Sequence, residues 1–322
     1  VTSRNVNPDT ATIFKTTNGG DNWNVVFNQP TRRLTRIQFI NNTTGFVSGG
    51  TGTGIPYLYK TTNQGVNWNL LPVTSGNLFW NDMSVLNEDT VWLVDKNSFN
   101  GGVYRTTNGG NSWQQQYSAG SQNPTRIYFI NGRTGFISKI SDPPVTLRTS
   151  NSGLNWSQVF DEDFSCMYFS DSLTGWKGGE YPGTLAKTTN GGVNWFYQYI
   201  PAEGGNFVIS RIRKIAGINK DTLWGSGSSY FYGPGQTRGL LYRTTNGGNS
   251  WQYQIPDSSF HITGGYFHLV FTDAKKGWAY TLNRGIHTTL GGDTTFLTDV
   301  KQTSTEIPNQ YSLSQNYPNP FN

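Results

Sequence analysis

Basic residues recur before several short apolar segments of the chain. They are the first candidates for a chemical role, which would be the binding of an anion. Six residues stand immediately before a short apolar segment: Arg36, Asp82, Arg126, Cys166, Lys214 and His268. Cations that converge in a concave site concentrate positive potential, which attracts a carboxylate, a polyanionic glycan or an acidic peptide. The predicted ligand-binding residues are therefore Arg36, Arg126, Lys214 and His268. Further cations lie just upstream at Arg32, Arg33, Arg211 and Arg213. In the alternative interpretation, each arginine pairs with a neighbouring carbonyl group or with Asp82.

Carboxyl groups are the candidates for hydrolytic chemistry, because glycosidases use a pair of them beside the scissile bond. The glutamates are Glu88, Glu162, Glu180, Glu203 and Glu306. We predict no catalytic residue among them. The acidic run at 161–163 could bind Ca²⁺ weakly through its oxygens, but we interpret it as a solvated loop.

The sequence predicts neither a metal site nor a cofactor. His261, His268 and His287 lack the spacing of transition-metal ligands. The chain contains no Gly-x-Gly-x-x-Gly and no Gly-x-Ser-x-Gly, and the glycine run at 49–54 precedes a strand, so we interpret it as a loop rather than a phosphate cradle. Cys166 is the single cysteine, which excludes an intramolecular disulfide; we interpret it as a small buried residue.

A repeated phrase, Thr-Thr-Asn-Gly-Gly-x-x-Trp in its best form, indicates which elements position these residues. Its seven copies begin at Thr16, Thr61, Thr106, Thr149, Thr188, Thr244 and Thr288. A period of about 45 residues is typical of a solenoid, propeller or array. Within the unit at 36–71, four short apolar segments alternate with turns, as in a four-stranded antiparallel blade. The sequence therefore predicts an all-β, seven-bladed β-propeller, in which equivalent positions of successive blades form a ring at the channel mouth.

The phrase recurs for structural reasons. Its asparagine can close the turn through backbone hydrogen bonds, and its second glycine accepts a positive φ. Its tryptophan can cover the outer edge of a blade or pack between blades. The predicted structural residues are Asn18, Gly20, Trp23, Asn63, Gly65, Trp68, Asn108, Gly110, Trp113, Asn151, Gly153, Trp156, Asn190, Gly192, Trp195, Asn246, Gly248 and Trp251.

The phrase resembles the Asp-box of bacterial neuraminidase repeats, Ser/Thr-x-Asp-x-Gly-x-x-Trp, with Asn in place of Asp in six copies. An upstream Thr-Gly-Phe or Thr-Gly-Trp, as at Thr44, Thr134 and Thr174, is similar to propellers related to photosystem II assembly factors. The resemblance covers about residues 10 to 297 and implies a seven-bladed propeller with the Asp-box at its periphery. Sialidases also need an Arg-Ile-Pro signature, whereas this chain has Arg36-Ile37-Gln38. Xyloglucanase-like enzymes place their carboxylates between two propellers, and one propeller is predicted.

The repeats are imperfect at both ends. The first copy, at 12–27, supplies a strand pair with at most one uncertain strand before it. In the seventh copy Leu290 and Thr295 replace the asparagine and the tryptophan, and we expect Phe296 to substitute for the aromatic residue. We therefore expect an incomplete first blade, with its inner strand supplied from the C-terminal side or from residues outside this sequence.

The propeller is predicted to end at residue 297, followed by a polar linker at 298–310. The segment 311–322 contains Leu-Ser-Gln-Asn-Tyr-Pro-Asn-Pro-Phe-Asn, which resembles the start of the type A C-terminal sorting domain of the type IX secretion system in Bacteroidetes. The residues that carry this resemblance are Tyr317, Pro318, Asn319, Pro320 and Phe321. It implies the type IX secretion machinery as a partner and an extracellular or cell-surface location. Because that domain is truncated and position 1 is Val, we expect the sequence to be processed or part of a longer chain.

Composition limits the remaining function classes. The net charge of +5 comes from dispersed cations, so no nucleic-acid partner is predicted. No apolar stretch approaches the roughly 18 residues of a membrane helix. We predict a secreted, non-catalytic binding or structural module, with the glycine- and aromatic-rich stretch at 225–239 as a specificity loop. The alternatives are an extracellular glycosidase, an assembly factor with a protein client, and a self-associating subunit of a surface layer or filament.

Overall fold

The computed structural model describes most of the repeat region. The described residues are 2–4, 10–18, 22–30, 32–51, 55–73, 80–96, 101–120, 123–140, 143–179, 181, 184–201, 207–209, 211–233, 236–255, 265–281, 285–289, 291, 298–299, 301–302 and 311–312. Throughout these ranges the regular secondary structure is β-strand. Among the described residues, no helix is long and apolar enough to cross a membrane. The protein is an all-β propeller of small antiparallel sheets, which confirms the predicted fold class. The chain forms two compact units, Val1–Asp163 and Phe164–Asn322.

The first unit contains four sheets. Sheet 1 has three strands, β1 (Thr2–Arg4), β2 (Thr10–Lys15) and β3 (Asn24–Pro30). Sheet 2 consists of β4 (Arg32–Phe39), β5 (Gly45–Thr51), β6 (Pro56–Thr61) and β7 (Asn69–Leu71). Sheet 3 consists of β8 (Trp80–Val85), β9 (Val91–Asp95), β10 (Gly101–Thr106) and β11 (Gln114–Gly120). Sheet 4 consists of β12 (Pro124–Phe129), β13 (Gly135–Lys139), β14 (Val145–Thr149) and β15 (Ser157–Phe160).

The second unit contains three sheets of the same type and a short ribbon. Sheet 5 consists of β16 (Cys166–Phe169), β17 (Gly175–Gly178), β18 (Ala186–Thr188) and β19 (Phe196–Tyr197). Sheet 6 has β20 (Phe207–Ile209), β21 (Lys214–Gly217), β22 (Leu223–Gly233), β23 (Gln236–Thr244) and β24 (Gln252–Gln254). Sheet 7 has β25 (His268–Phe271), β26 (Gly277–Tyr280), β27 (Gly285–Thr288) and β28 (Thr298–Asp299). The ribbon pairs β29 (Lys301–Gln302) with β30 (Tyr311–Ser312).

Three predicted boundaries differ from the structure. The stretch at 225–239 is mostly strand: β22 and β23 form a long hairpin, because alternating small and aromatic residues can pair along its length. Within the predicted glycine-rich loop at 50–54, Gly50 and Thr51 still belong to β5. Thr298 and Asp299, which we placed in the linker, pair with β27 as the fourth strand of sheet 7.

Apolar residues of neighbouring sheets form the core. In the first unit, one cluster joins Phe46 and Leu58 of sheet 2 to Trp80 and Met83 of sheet 3. In the second, Trp176 of sheet 5 packs with Leu223 and Tyr242 of sheet 6. Within each unit, the small sheets bury their apolar faces mainly against a neighbouring sheet, which accounts for the aromatic-rich composition.

The repeated phrase forms the third turn of a sheet, which connects its third and fourth strands. In sheet 3, the hydroxyl of Thr106 donates to Asn108 Oδ1 (2.9 Å) and accepts from Gly110 N (2.9 Å). Asn108 Oδ1 also accepts from Ser112 N at 2.9 Å. Gly110 has φ +93°, as the turn requires. The same bonds recur in sheets 2, 5 and 6, so the asparagine and the second glycine have the predicted structural roles.

The first turn of a sheet, between its first and second strands, is closed by another polar side chain. In sheet 4, Asn131 Oδ1 accepts from Arg133 N and Thr134 N, both at 2.9 Å. The equivalent acceptors in the other sheets are Asn41, Asn87, Asp171, Asn219 and Asp273. A backbone bond then joins the two turns, for example from Gly109 N to Asp89 O at 3.0 Å. Both turns of a sheet are thereby fixed to each other.

Candidate functional site

The six aligned candidate residues occupy one register position of their sheets, but they do not precede the strands. Each lies within its inner strand, and Cys166, Lys214 and His268 are the first strand residues. Their cross-strand partners in sheets 2 to 7 are Ser48, Val94, Ser138, Gly178, Ser226 and Tyr280. The short apolar pattern underestimated the length of β4, β8 and β12, because these strands begin with arginine, tryptophan and proline and continue with polar residues.

A β-bulge precedes this position in sheets 2 to 4. The register shifts by one residue between Leu34 and Arg36, and between Trp80 and Asp82. Pro124 and Arg126 flank a third shift. In sheets 5 to 7 the residue before the candidate donates its amide to the carbonyl opposite, as Arg213 N does to Ser226 O at 2.7 Å. A bulge re-aims the side chains next to it and is frequent near binding sites.

Arg36 forms an ion pair with Asp82 of the neighbouring sheet. Arg36 Nε lies 3.6 Å from Asp82 Oδ1, and the side chains are 43% and 8% exposed. Asp82 Oδ2 also accepts from Ile127 N at 3.1 Å, so this carboxylate joins sheets 2, 3 and 4. The alternative interpretation, in which the arginine pairs with Asp82, is therefore correct for Nε of Arg36. The terminal nitrogens of Arg36 have no hydrogen-bond acceptor among the residues that the structure describes.

Further side chains connect the same inner strands. Gln38 Nε2 donates to Val85 O, and its Oε1 accepts from Val85 N, both at 3.1 Å. Ser84 Oγ accepts from Phe129 N at 3.0 Å. Arg126 donates through a terminal nitrogen to Thr125 O at 2.9 Å. Asn81 Nδ2 donates to the same carbonyl oxygen. Arg126 is half-buried and thus less accessible than Arg36.

In the second unit, the aligned residues have different surroundings. Cys166 Sγ lies 3.7 Å from Ile212 O and is half-buried, not fully buried as predicted. Lys214 is half-buried, and His268 is exposed. Since Cys166 replaces a cation in sheet 5, the second unit supplies one permanent cation at this position.

Arg32 occupies an aromatic site on β4 that the sequence did not predict. Its guanidinium lies 5.2 Å from the ring centroid of Tyr57 and 5.6 Å from that of Tyr59. It also donates to the hydroxyl of Tyr59, while the hydroxyl of Tyr57 donates to Arg33 O. Burial raises the pKa of Tyr57, although the Arg32 charge opposes this. Stacking of this kind fixes the orientation of an arginine.

The described carboxyl groups are mostly structural. Asp163 is 4% exposed, so the prediction of a solvated acidic loop at 161–163 is wrong for this residue. Backbone amides hold the pKa of Asp171 and Asp273 below the usual range, which is the opposite of what a general acid requires. Asp95 is fully buried at the end of β9, and Lys139 is buried at the same position of β13. A comparison of second-strand ends would have revealed both residues.

A second recurring cation was also missed. The residue before the repeated phrase lies opposite the aromatic residue at the second position of the second strand. Lys60 faces Phe46, Arg105 faces Trp92 and Lys187 faces Trp176, at 5.6, 5.1 and 5.2 Å from the ring centroids. Lys187 Nζ also donates to Gly247 O of sheet 6 at 2.7 Å. Burial lowers the pKa of Arg105 and Lys187. Through its bond to Gly247 O, Lys187 joins sheets 5 and 6.

Several predicted residues lie outside the described residues. They are Gly20, Glu180, Glu203, His261, Leu290, Thr295, Phe296, Glu306, Tyr317, Pro318, Asn319, Pro320 and Phe321. On the hairpin of sheet 6, Tyr230 is half-buried and Phe231 is exposed. Within the described ranges, no three His, Cys, Asp or Glu residues group in a way that could hold a metal ion.

Comparison with solved structures shows the same fold at low sequence identity. YCF48 from Cyanidioschyzon merolae is 15% identical, with a TM-score of 0.60 over 86% of this chain and 88% of that chain. The GH74 xyloglucanase from Xanthomonas campestris is 14% identical, with a TM-score of 0.60 over 89% of this chain and 47% of the enzyme. An ancestral GH74 enzyme is 17% identical, with a TM-score of 0.60 over 90% of this chain and 39% of the enzyme.

This chain therefore spans less than half the length of these two enzymes. At such identities the likeness shows the β-propeller fold alone. No protein-family model and no curated protein sequence matches the chain.

Proposed function

We propose that the protein is a secreted or cell-surface, non-catalytic β-propeller that binds an anionic glycan or an acidic peptide. The observation that carries this proposal is the state of Arg36. Its ε-nitrogen is held by Asp82, its side chain is 43% exposed, and its terminal nitrogens have no acceptor among the described residues. A guanidinium fixed at one edge presents its other donors in the fork geometry that suits carboxylate, sulfate and phosphate groups.

The surroundings of Arg36 support a role in binding. The amide of Ile127 holds the carboxylate of Asp82 in place, and this carboxylate in turn fixes the orientation of the Arg36 guanidinium. Arg32, on the same strand, is oriented by Tyr57 and Tyr59. Because orienting a long side chain beforehand reduces the entropy lost on binding, both arginines are prepared for a ligand.

A glycan-binding assay tests the proposal directly. Retention on a sulfated or carboxylated polysaccharide should decrease for Arg36→Ala, with affinity lowered about tenfold or more, as expected for loss of a charge-assisted hydrogen bond. Arg36→Lys keeps the charge but loses the fork, so it should recover only part of the binding. Arg133→Ala removes an exposed arginine of a first turn and is the matched control for net charge.

Equal retention of the Arg36→Ala and Arg133→Ala variants would contradict binding at Arg36. Hydrolysis of a panel of fluorogenic glycosides by the purified protein would contradict the non-catalytic assignment and favour the glycosidase alternative. The two assays test separate parts of the proposal. Binding without hydrolysis would support both parts.

Export by the type IX secretion machinery is the second part of the proposal, and its support is the sequence at 311–322. Replacing Pro318 and Pro320 by alanine in the full-length gene should retain the protein inside the cells of a host that has this system. Appearance of the variant in the medium at the wild-type level would contradict this route.

A further inference from the structure

Asn131 differs chemically from the other turn asparagines of the described chain. It is exposed, lies in the first turn of sheet 4 and precedes Gly132. Its Oδ1 accepts two backbone hydrogen bonds, from Arg133 N and Thr134 N, both at 2.9 Å. Its Nδ2 donates to no described residue, and neither does the amide of Gly132. The side-chain carbonyl is thus polarised, while the neighbouring backbone nitrogen is unengaged.

We propose that Asn131 is a site of spontaneous deamidation. The backbone nitrogen of Gly132 loses its proton to solvent and bonds to Cγ of Asn131. The Cγ–Nδ2 bond then breaks, and the amide nitrogen leaves as ammonia after taking a proton. Water then opens the resulting succinimide ring at one of its two carbonyl carbons, which gives aspartate or its isoaspartyl isomer. The net reaction consumes one water, releases one ammonia and requires no oxidant or reductant.

The turn favours this reaction in two ways. Negative charge develops on Oδ1 when the nitrogen attacks, and the two amides already directed at Oδ1 stabilise that charge as an oxyanion site does. Glycine has no side chain to obstruct the approach of its nitrogen, and its backbone is the most adaptable of all residues.

The third turns provide an internal comparison, because they also contain Asn-Gly pairs. Here the attacking nitrogen is engaged: Gly109 N donates to Asp89 O at 3.0 Å, Gly191 N to Leu173 O at 2.9 Å, and Gly247 N to Asp221 O at 2.9 Å. The preceding asparagines accept hydrogen bonds through Oδ1 as Asn131 does, for example Asn190 from the hydroxyl of Thr188 at 3.0 Å, so the engaged glycine nitrogen is what distinguishes these sites. A hydrogen bond must break before attack, so these sites should react about tenfold more slowly than Asn131.

The first turns provide the complementary comparison. Asn87 and Asn219 accept the same two backbone bonds as Asn131, but Glu88 and Lys220 follow them. Their side chains obstruct the attack that glycine permits. Asp171 and Asp273 carry a carboxylate at this turn position and keep both bonds, at 2.7 and 2.8 Å respectively. The turn therefore accepts the aspartate product, which adds one negative charge.

Peptide mapping by mass spectrometry tests the proposal on the native protein during incubation in mildly alkaline buffer. The peptide with Asn131 should gain the mass of an amide-to-acid exchange about tenfold faster than those with Asn108, Asn190 and Asn246. In urea, all four sites should react at similar rates, because each precedes glycine. Gly132→Ala should slow the reaction at Asn131, and Glu88→Gly should create a second reactive site at Asn87. A native Asn131 that stays unmodified, or native third-turn sites that react as fast, would overturn the proposal.

Discussion

Trp92 of sheet 3 stacks on Phe129 of sheet 4, with ring centroids 3.7 Å apart and an interplanar angle of 11°. Its indole nitrogen also lies 3.3 Å from Ser152 O, in the third turn of sheet 4. Sheets 6 and 7 repeat both contacts: Trp224 stacks on Phe271 at 3.7 Å and donates to Gly291 O at 3.0 Å. One tryptophan thus attaches a sheet to both the inner strand and the third turn of the next sheet.

Replacing Trp92 by alanine should lower the free energy of unfolding by about 3–5 kcal/mol, because a fully buried indole leaves a cavity at this contact. The measurement is equilibrium unfolding in urea, followed by circular dichroism. Val25→Ala, at an exposed site of β3, should change the stability by less than about 0.5 kcal/mol. A loss for Trp92→Ala as small as that control would show that the stacked pair contributes little.

The third turn predicts a difference between two substitutions of Asn190. Its Oδ1 accepts from the hydroxyl of Thr188 (3.0 Å) and from Asn194 N (3.0 Å). Asn190→Asp keeps an acceptor at this position and matches the residue of the Asp-box, so it should be nearly neutral. Asn190→Ala removes the acceptor and should destabilise by about 1 kcal/mol. Thermal unfolding of both variants distinguishes them, and equal melting temperatures would contradict this role.

Gln64 provides a prediction of increased stability. It has φ 64°, whereas the equivalent residues Gly109, Gly191 and Gly247 are glycines with φ 67–68°. A side chain in the left-handed region is strained by about 1–2 kcal/mol. Gln64→Gly should therefore stabilise sheet 2, less the extra entropy that glycine has in the unfolded chain. The expected net gain is below about 1 kcal/mol in urea unfolding. Gln64→Ala keeps the strain and is the control.

The sequence predicted the sheets well because each repeat encodes its own turns. The asparagine and the second glycine of the phrase act within a few residues, so their roles can be inferred without knowing the neighbours. The register position shared by Arg36, Asp82 and Arg126 was also inferred correctly from the alignment of repeats.

What could not be predicted depends on contacts between sheets. The sequence offered the pairing of Arg36 with Asp82 only as an alternative, because these residues lie about one repeat apart, and the bulge beside them has no signature in the apolar pattern. The hairpin of β22 and β23 was interpreted as a loop because glycine is rare within strands, but pairing between the two arms compensates. The burial of Asp95 follows from the packing around it, and within one repeat only the comparison of second-strand ends draws attention to this position.

The last prediction concerns alkaline pH. Burial raises the pKa of Tyr57 above its ordinary value of 10.0, and it has the same effect on Tyr59 and Tyr104. In the unfolded chain these phenols ionise near pH 10, whereas in the folded protein they keep their protons, so the folded state binds more protons above that pH. Stability is therefore fully present below about pH 10 and decreases as the pH rises further. Urea unfolding between about pH 9 and pH 11 should show this decrease.

The Tyr57→Phe variant loses the hydrogen bond to Arg33 O, which should destabilise the protein by about 1 kcal/mol at neutral pH. The stability of this variant should nevertheless decrease less steeply than that of the wild type above about pH 10. An equal slope for the variant and the wild type would show that ionisation of Tyr57 does not drive the alkaline loss.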